Sequence, residues 1–205
     1  MKILLVDDHV IVRSGLRNLL TSAADVRISE AANGRDALLR QREDRPDLVL
    51  LDLNLPGIGG LELLRRMLLA DASARILVLS MHAEPLYAAR AMELGARGYL
   101  SKNASAAELL TAVRRVSDGG RYIENEIAQE LALRATPPGD GLQDLTERDL
   151  EIMRLLAEGR SLAEIAEALG IGYKTVANAC SYIKAKLGVP RTNDLVRLAM
   201  TLGIA

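Results

Sequence analysis

The stretch that most restricts the fold is Leu48 to Pro56, LVLLDLNLP, in which branched apolar residues stop at Asp52 and the chain turns through Pro56, Gly57, Gly59 and Gly60. A short apolar run closed by turn residues is the pattern of a strand buried on both faces of a parallel sheet, because no wet face calls for alternating polar residues. Asp52 then stands at the carboxyl end of a central strand. In open α/β sheets ligands bind along that edge. Alone, a strand-end Asp reads equally well as a helix cap or a solubilising loop residue, so its meaning depends on the rest of the chain.

Up to about residue 121, apolar runs alternate with amphipathic stretches, which predicts a doubly wound α/β domain with a five-stranded parallel sheet. The strands are Ile3–Val6, Val26–Glu30, Leu48–Leu51, Arg75–Leu79 and Gly98–Leu100. The first helix, from Val10 to about Leu20, is expected to turn Ile11, Leu16, Leu19 and Leu20 inward. Asn33 and Ser105 are the expected caps of later helices. Residues 122–143 read as a connecting helix, carrying Ile127, Leu131 and Leu133, and then a breaker-rich linker at Arg134–Gly141. Strands cease in 144–205. Thr146 with Asp149 and Ser161 with Glu164 cap two helices, and Gly170-Ile171-Gly172 turns the chain into a third with Val176, Cys180, Ile183 and Leu187 on one stripe. A fourth begins near Asn193.

Composition narrows the function. No apolar run reaches the roughly 18 to 20 residues of a membrane span, and the amino-terminal MKILLVDD meets acids too early for a signal peptide, so a cytoplasmic protein without membrane contact is expected. One cysteine, Cys180, excludes an internal disulfide. A net charge of −1 means that nucleic-acid binding must be local, and the absence of Phe and Trp argues against stacking of single-stranded bases.

Asp7, Asp8, Asp52, Ser80 and Lys102 each fall where an apolar strand stops, on the first, third, fourth and fifth strands. Singly, the acids read as caps, Ser80 as a turn residue and Lys102 as a solvated charge. Together they would meet along one sheet edge. Three crowded carboxylates call for a hard divalent cation, and Mg²⁺ prefers such oxygen ligands and bridges to phosphate. Lys102 and Ser80 suit phosphoryl oxygens, and a carboxylate such as Asp52 can accept a phosphoryl group as an acyl phosphate. His9 reads as structural or solvent-facing.

The motifs DDH at 7–9, LLDLNLPGIGG at 50–60, LS at 79–80 and GYLSK at 98–102 resemble the receiver domain of bacterial two-component response regulators. The resemblance covers the whole first domain and implies a flavodoxin-like fold. It implies that Asp52 receives phosphate from a sensor histidine kinase, with Mg²⁺ held by Asp7, Asp8, Asp52 and the backbone carbonyl of Asn54. It further implies that Ser80 turns toward the phosphoryl oxygens while Tyr99 reorients behind it, altering a face from about Met81 to Tyr99. Tyr87 reads as ordinary packing. Asn54 and His82 are expected to tune access of water to the phosphoryl group.

Two capped helices joined by a glycine turn are the helix-turn-helix arrangement, whose second helix enters the major groove. Leu145 to Ala199 resembles the LuxR-type DNA-binding domain, so the whole chain resembles a NarL/FixJ-type response regulator. That family usually has Asn-Lys after Ser161 and Thr-Val-Lys-x-His in the recognition helix; here Leu162-Ala163 and Thr175-Val176-Ala177-Asn178-Ala179 stand instead. The remaining candidates for DNA contact are Lys174, Thr175, Asn178, Ser181, Lys184 and Lys186, with Asn178 suited to two-pronged pairing with adenine. Weak binding by one module calls for a homodimer, which the resemblance puts on the last helix with Val189. The expectation is a transcription regulator in which phosphorylation of Asp52 releases or dimerises the C-terminal helix-turn-helix for promoter DNA, and which turns over no external substrate, although its own phosphate is open to hydrolysis. Two competitors stand beside it. A Mg²⁺-dependent phosphohydrolase commonly needs an acid where Asn54 stands, and a regulator working through protein contacts would suit Ala177 and Ala179.

Overall fold

The computed structural model describes residues 1–81, 85–133, 145–202 and 204. His82 and the expected linker at Arg134–Gly141 lie outside the described residues. The chain divides into two compact units, the first of residues 1–83 and 88–128, which holds the sheet, and the second of residues 84–87 and 129–205.

In the first unit the order is β1 (Lys2–Val6), α1 (Val10–Ala23), β2 (Arg27–Ala31), α2 (Gly34–Asp44), β3 (Leu48–Asp52), α3 (Gly60–Ala70), β4 (Ile76–Ser80), α4 (Pro85–Leu94), β5 (Gly98–Ser101), α5 (Ala106–Ser117) and β6 (Tyr122–Ile123). All pairings are parallel, in the order β2-β1-β3-β4-β5-β6. Five of these strands are the expected ones. The sixth, two residues long, pairs Tyr99 with Ile123 and so draws Tyr122 and Ile123 into the sheet rather than the connecting segment.

Every residue of β3, β4 and β5 is buried, as their unbroken apolar sequences require. Because side chains alternate across a strand, Ile3, Leu5, Leu48, Leu50, Leu77, Leu79 and Leu100 form one face of the core with Leu20 of α1 and Leu109, Ala112, Val113 and Val116 of α5. The opposite set, including Leu4, Val49, Leu51, Val78 and Tyr99, is as deeply buried. Ile11 departs from expectation: it is 87% exposed and Val10 65%, and within α1 only Leu20 is fully covered. Asn33 and Ser105 do cap α2 and α5, their side chains accepting from the N–H of Asp36 and of Glu108.

The loop after β3 is closed by a tight contact. Gly60 N–H donates to the Leu53 carbonyl at 3.1 Å, and a Cβ on Gly60 would lie 2.2 Å from Leu53 Cα. Backbone cannot yield as a flexible side-chain tip can, so Gly60→Ala is expected to cost about 1–3 kcal/mol, the usual range for overpacking. A lowered urea midpoint for the unfolding of the sheet unit is the check; an unchanged midpoint would mean that this loop is slack.

The second unit contains α6 (Asn125–Leu133), which begins in the first unit, then α7 (Glu147–Ala157), α8 (Leu162–Ala168), α9 (Tyr173–Leu187) and α10 (Thr192–Thr201). Thr146 with Asp149 and Ser161 with Glu164 form the expected reciprocal capping boxes. Val176, Cys180 and Ile183 are the buried stripe of α9, while Leu195 and Ala199 hold α10. Among the described residues no helix is long and apolar enough to cross a membrane.

Candidate functional site

The parallel sheet sets the ends of β1, β3, β4 and β5 side by side. Asp52 is the last residue of β3 and lies in register with Leu79, so Ser80 extends one residue further on the neighbouring strand. Both are buried. The Lys102 N–H donates to the Ser80 carbonyl at 2.7 Å, which continues the β4–β5 pairing one residue past Ser101 and fixes Lys102 at the sheet edge. Its Nζ donates to Asp52 Oδ2 at 2.6 Å and to Asp7 Oδ2 at 2.7 Å. The other Asp52 oxygen accepts from the Asn54 N–H at 3.0 Å, and Asp7 Oδ1 accepts from the His9 N–H at 2.8 Å.

Burial pushes the Asp52 carboxyl above its ordinary value, more than the Lys102 and Asn54 hydrogen bonds draw it back. Burial alone would lower the Lys102 ammonium, but its bonds to Asp52 and Asp7 prevail and raise it. A firmly charged lysine thus sits between two carboxylates. Asp8 is partly exposed, with His9 Nδ1 2.9 Å from its Oδ1. Counting Asp7, Asp8 and Asp52 as anions against Lys102 leaves two negative charges, the amount one divalent cation neutralises. Ligand atoms of Asp7, Asp8, Asp52 and His9 all lie within 4.8 Å of one another. The hard oxygens fit an alkaline-earth ion. The sequence reading did not include His9 in this group. It is largely exposed, but its ring is held over both Asp7 and Asp8. Tyr99 is fully buried within β5, facing Val78 in register.

In the second unit, α8 and α9 are joined through Gly170, whose φ of +62° lies in the left-handed region that glycine tolerates. Arg148 lies on α7. Its guanidinium donates to the Leu169 carbonyl at 2.7 Å, which fastens α7 to the end of α8 just before the turn. On α9, Lys174, Thr175, Asn178, Ser181 and Lys186 are exposed and Lys184 is half-buried. The Ser181 hydroxyl donates back to the Ala177 carbonyl at 3.0 Å, so its proton is already engaged. Lys186 Nζ lies 5.7 Å from the centre of the Tyr182 ring, a distance that permits a cation–π contact.

An α/β domain with an acid pocket at its strand ends, followed in one chain by a helix-turn-helix, is a signal receiver coupled to a DNA-binding module. The family model of the response regulator receiver domain matches residues 3–114, and that of bacterial regulatory proteins of the luxR family matches residues 143–199. The chain is 38% identical over 208 residues to the response regulator UvrY of Escherichia coli (strain K12), spanning 100% of this chain and 95% of that one. It is 41% identical over 209 residues to the transcriptional activator protein ExaE of Pseudomonas putida, spanning 100% and 98%. A solved structure of RcsB from Salmonella enterica serovar Typhimurium, bound to promoter P1flhDC in the presence of the phosphomimetic BeF3−, aligns over 96% of each chain with a TM-score of 0.71 at 25% identity. The chain belongs to the NarL/FixJ-type two-component response regulators, with a receiver domain and a LuxR-type DNA-binding domain.

Proposed function

We propose that Asp52 is the phosphoacceptor of this regulator, served by a sensor histidine kinase, and that phosphorylation favours a homodimer that binds promoter DNA through α9. The observation that carries the reading is the shared grip of Lys102 on Asp52 and Asp7, at 2.6 and 2.7 Å. In the transfer, an Asp52 carboxylate oxygen attacks phosphorus in line with the leaving imidazole of the kinase. The P–N bond breaks, its electron pair returns to the imidazole, and the product is an acyl phosphate. Asp7, Asp8, Asp52 and the backbone carbonyl of Asn54 would hold Mg²⁺, which when bound neutralises charge on the phosphoryl oxygens.

Lys102 exchanges its bond to Asp52 for one to a phosphoryl oxygen, and the Ser80 hydroxyl donates to another. Movement of Ser80 opens space toward Tyr99, the residue that reports the change to the rest of β4, α4 and β5. Asn54 flanks the phosphorylated carboxylate and governs the approach of water, so slow self-hydrolysis returns the resting state. The working division is a receiver over 1–121 extended by β6, a connector to 143, and the DNA-binding domain over 144–205, in a cytoplasmic protein. Resemblance to DNA-bound RcsB favours promoter binding over action by protein contacts alone.

The test selects genomic DNA fragments with the phosphorylated chain and measures binding across a salt series. Lys174→Ala is expected to weaken all fragments alike and to reduce the salt slope by about 1, the signature of one lost phosphate contact. Asn178→Ala should cost about 1–3 kcal/mol on selected fragments and little on random DNA, as loss of a two-pronged base contact does. Retention of no fragment above random DNA would remove promoter binding from the account and favour action through protein contacts.

A further inference from the structure

We infer that Arg13, oriented by Glu30, is a positioning residue that holds the acidic pair Asp7-Asp8 in the geometry required to bind a divalent cation. The inference rests on the reading of Asp7, Asp8 and Asp52 as the cation site. Arg13 lies on α1, one turn past His9, and its side chain is only 11% exposed. One end of its guanidinium donates to the backbone carbonyl of Asp7 at 2.5 Å, while Nε donates to Glu30 Oε2 at 3.1 Å. Glu30 stands on β2 in register with Leu5, next to the strand that delivers Asp7. Its other oxygen accepts from Arg17 Nε at 2.7 Å.

The carbonyl that Arg13 grips belongs to the peptide between Asp7 and Asp8. Fixing it fixes the backbone rotation that aims the Asp8 side chain. On its other side Asp7 is anchored by its own N–H, which donates to the Ala31 carbonyl at 3.1 Å. Asp7 and Asp52 are also drawn together by Lys102, a constraint that Asp8 does not share. Apart from His9 Nδ1 at 2.9 Å from its Oδ1, Asp8 is aimed by the peptide that Arg13 holds. Glu30, shared between Arg13 and Arg17, is kept ionised because their hydrogen bonds outweigh its burial, and it offsets one of the two positive charges. Partners of metal ligands in such outer positions typically change metal affinity 10- to 100-fold when removed.

The test is Mn²⁺ binding to the full chain, followed by electron paramagnetic resonance of the free aqua ion, alongside circular dichroism to establish folding. Arg13→Gln and Glu30→Gln should each weaken Mn²⁺ by about tenfold or more, the lower end of that range. Arg13→Lys keeps the charge but cannot span both acceptors, and should fall between Arg13→Gln and the wild type. Arg17→Gln, which leaves the Asp7 carbonyl bond intact, should stay near the wild-type affinity. A folded Arg13→Gln that binds Mn²⁺ as the wild type does would overturn the inference, as would equal losses in Arg13→Gln and Arg17→Gln. If Arg13→Gln does not fold, Arg13→Lys decides by the same comparison. A wild-type chain that binds no Mn²⁺ overturns the reading of the cation site itself, and the positioning role with it.

Discussion

Asp52→Asn is expected to take up no acid-labile phosphate above background from a phosphorylated kinase or a small acyl phosphate. The amide preserves the volume of the side chain, and its one oxygen can still accept from either the Asn54 N–H or Lys102, which now touch separate Asp52 oxygens at 3.0 and 2.6 Å, while Lys102 keeps its bond to Asp7. What it loses is the anionic oxygen that attacks phosphorus. Because burial already raises the Asp52 carboxyl, removing its charge should leave stability unchanged or slightly increased. Loss of uptake in a folded, normally stable variant is therefore a statement about chemistry rather than folding. Labelling at the wild-type level would end the assignment.

Lys102→Met is the second large effect. It leaves two buried carboxylates, Asp7 and Asp52, without the ammonium that now lies between them. Breaking a buried pair from one side commonly costs about 3–5 kcal/mol, less whatever protonation or a bound cation recovers. The direction of the pH dependence follows. With Lys102 gone, the Asp52 carboxyl, already raised by burial, rises further. A group whose folded value exceeds its unfolded one contributes stability that is complete below the unfolded value and lost as pH rises through the folded one. The apo variant should thus be most stable on the acid side and weaken toward neutrality, and Mg²⁺ should raise its melting temperature more than that of the wild type. A melting curve insensitive to both pH and Mg²⁺ would mean that Lys102 does not neutralise this pair. Phosphate uptake should fall with it, since the phosphoryl oxygens lose their charged partner.

The pocket was legible because chemistry and topology coincide in one dimension. Asp7, Asp52, Ser80 and Lys102 each follow an apolar run, and in a parallel sheet a strand's end in sequence is also its place in space. Capping boxes are local as well, so Thr146 and Ser161 announced α7 and α8. What was not legible depends on distant partners or on short pieces. Ile11 has helical spacing for the core, yet it is 87% exposed, which spacing along one helix does not reveal. β6 is two residues long, too short for any periodicity. The demand for glycine at position 60 comes from Leu53 backbone passing within a Cβ's reach, and the part proposed for Arg13 comes from its bond to the Asp7 carbonyl six residues earlier, which no motif spacing announces. By sequence His9 reads as structural or solvent-facing, although its partners are the two aspartates immediately before it. On α9, spacing identified the exposed side chains, but the back-bond of Ser181 to Ala177 could only come from coordinates.

Reductive trapping of the phosphorylated chain tests the central claim most directly. Borohydride reduces an aspartyl phosphate to homoserine, so mass spectrometry of the digested protein reads the acceptor position without relying on a variant. The account predicts homoserine at position 52 alone, formed only when a divalent cation accompanies the phosphodonor. Homoserine at position 7 or 8, or a phosphorylated chain in which residue 52 survives as aspartate, would contradict it.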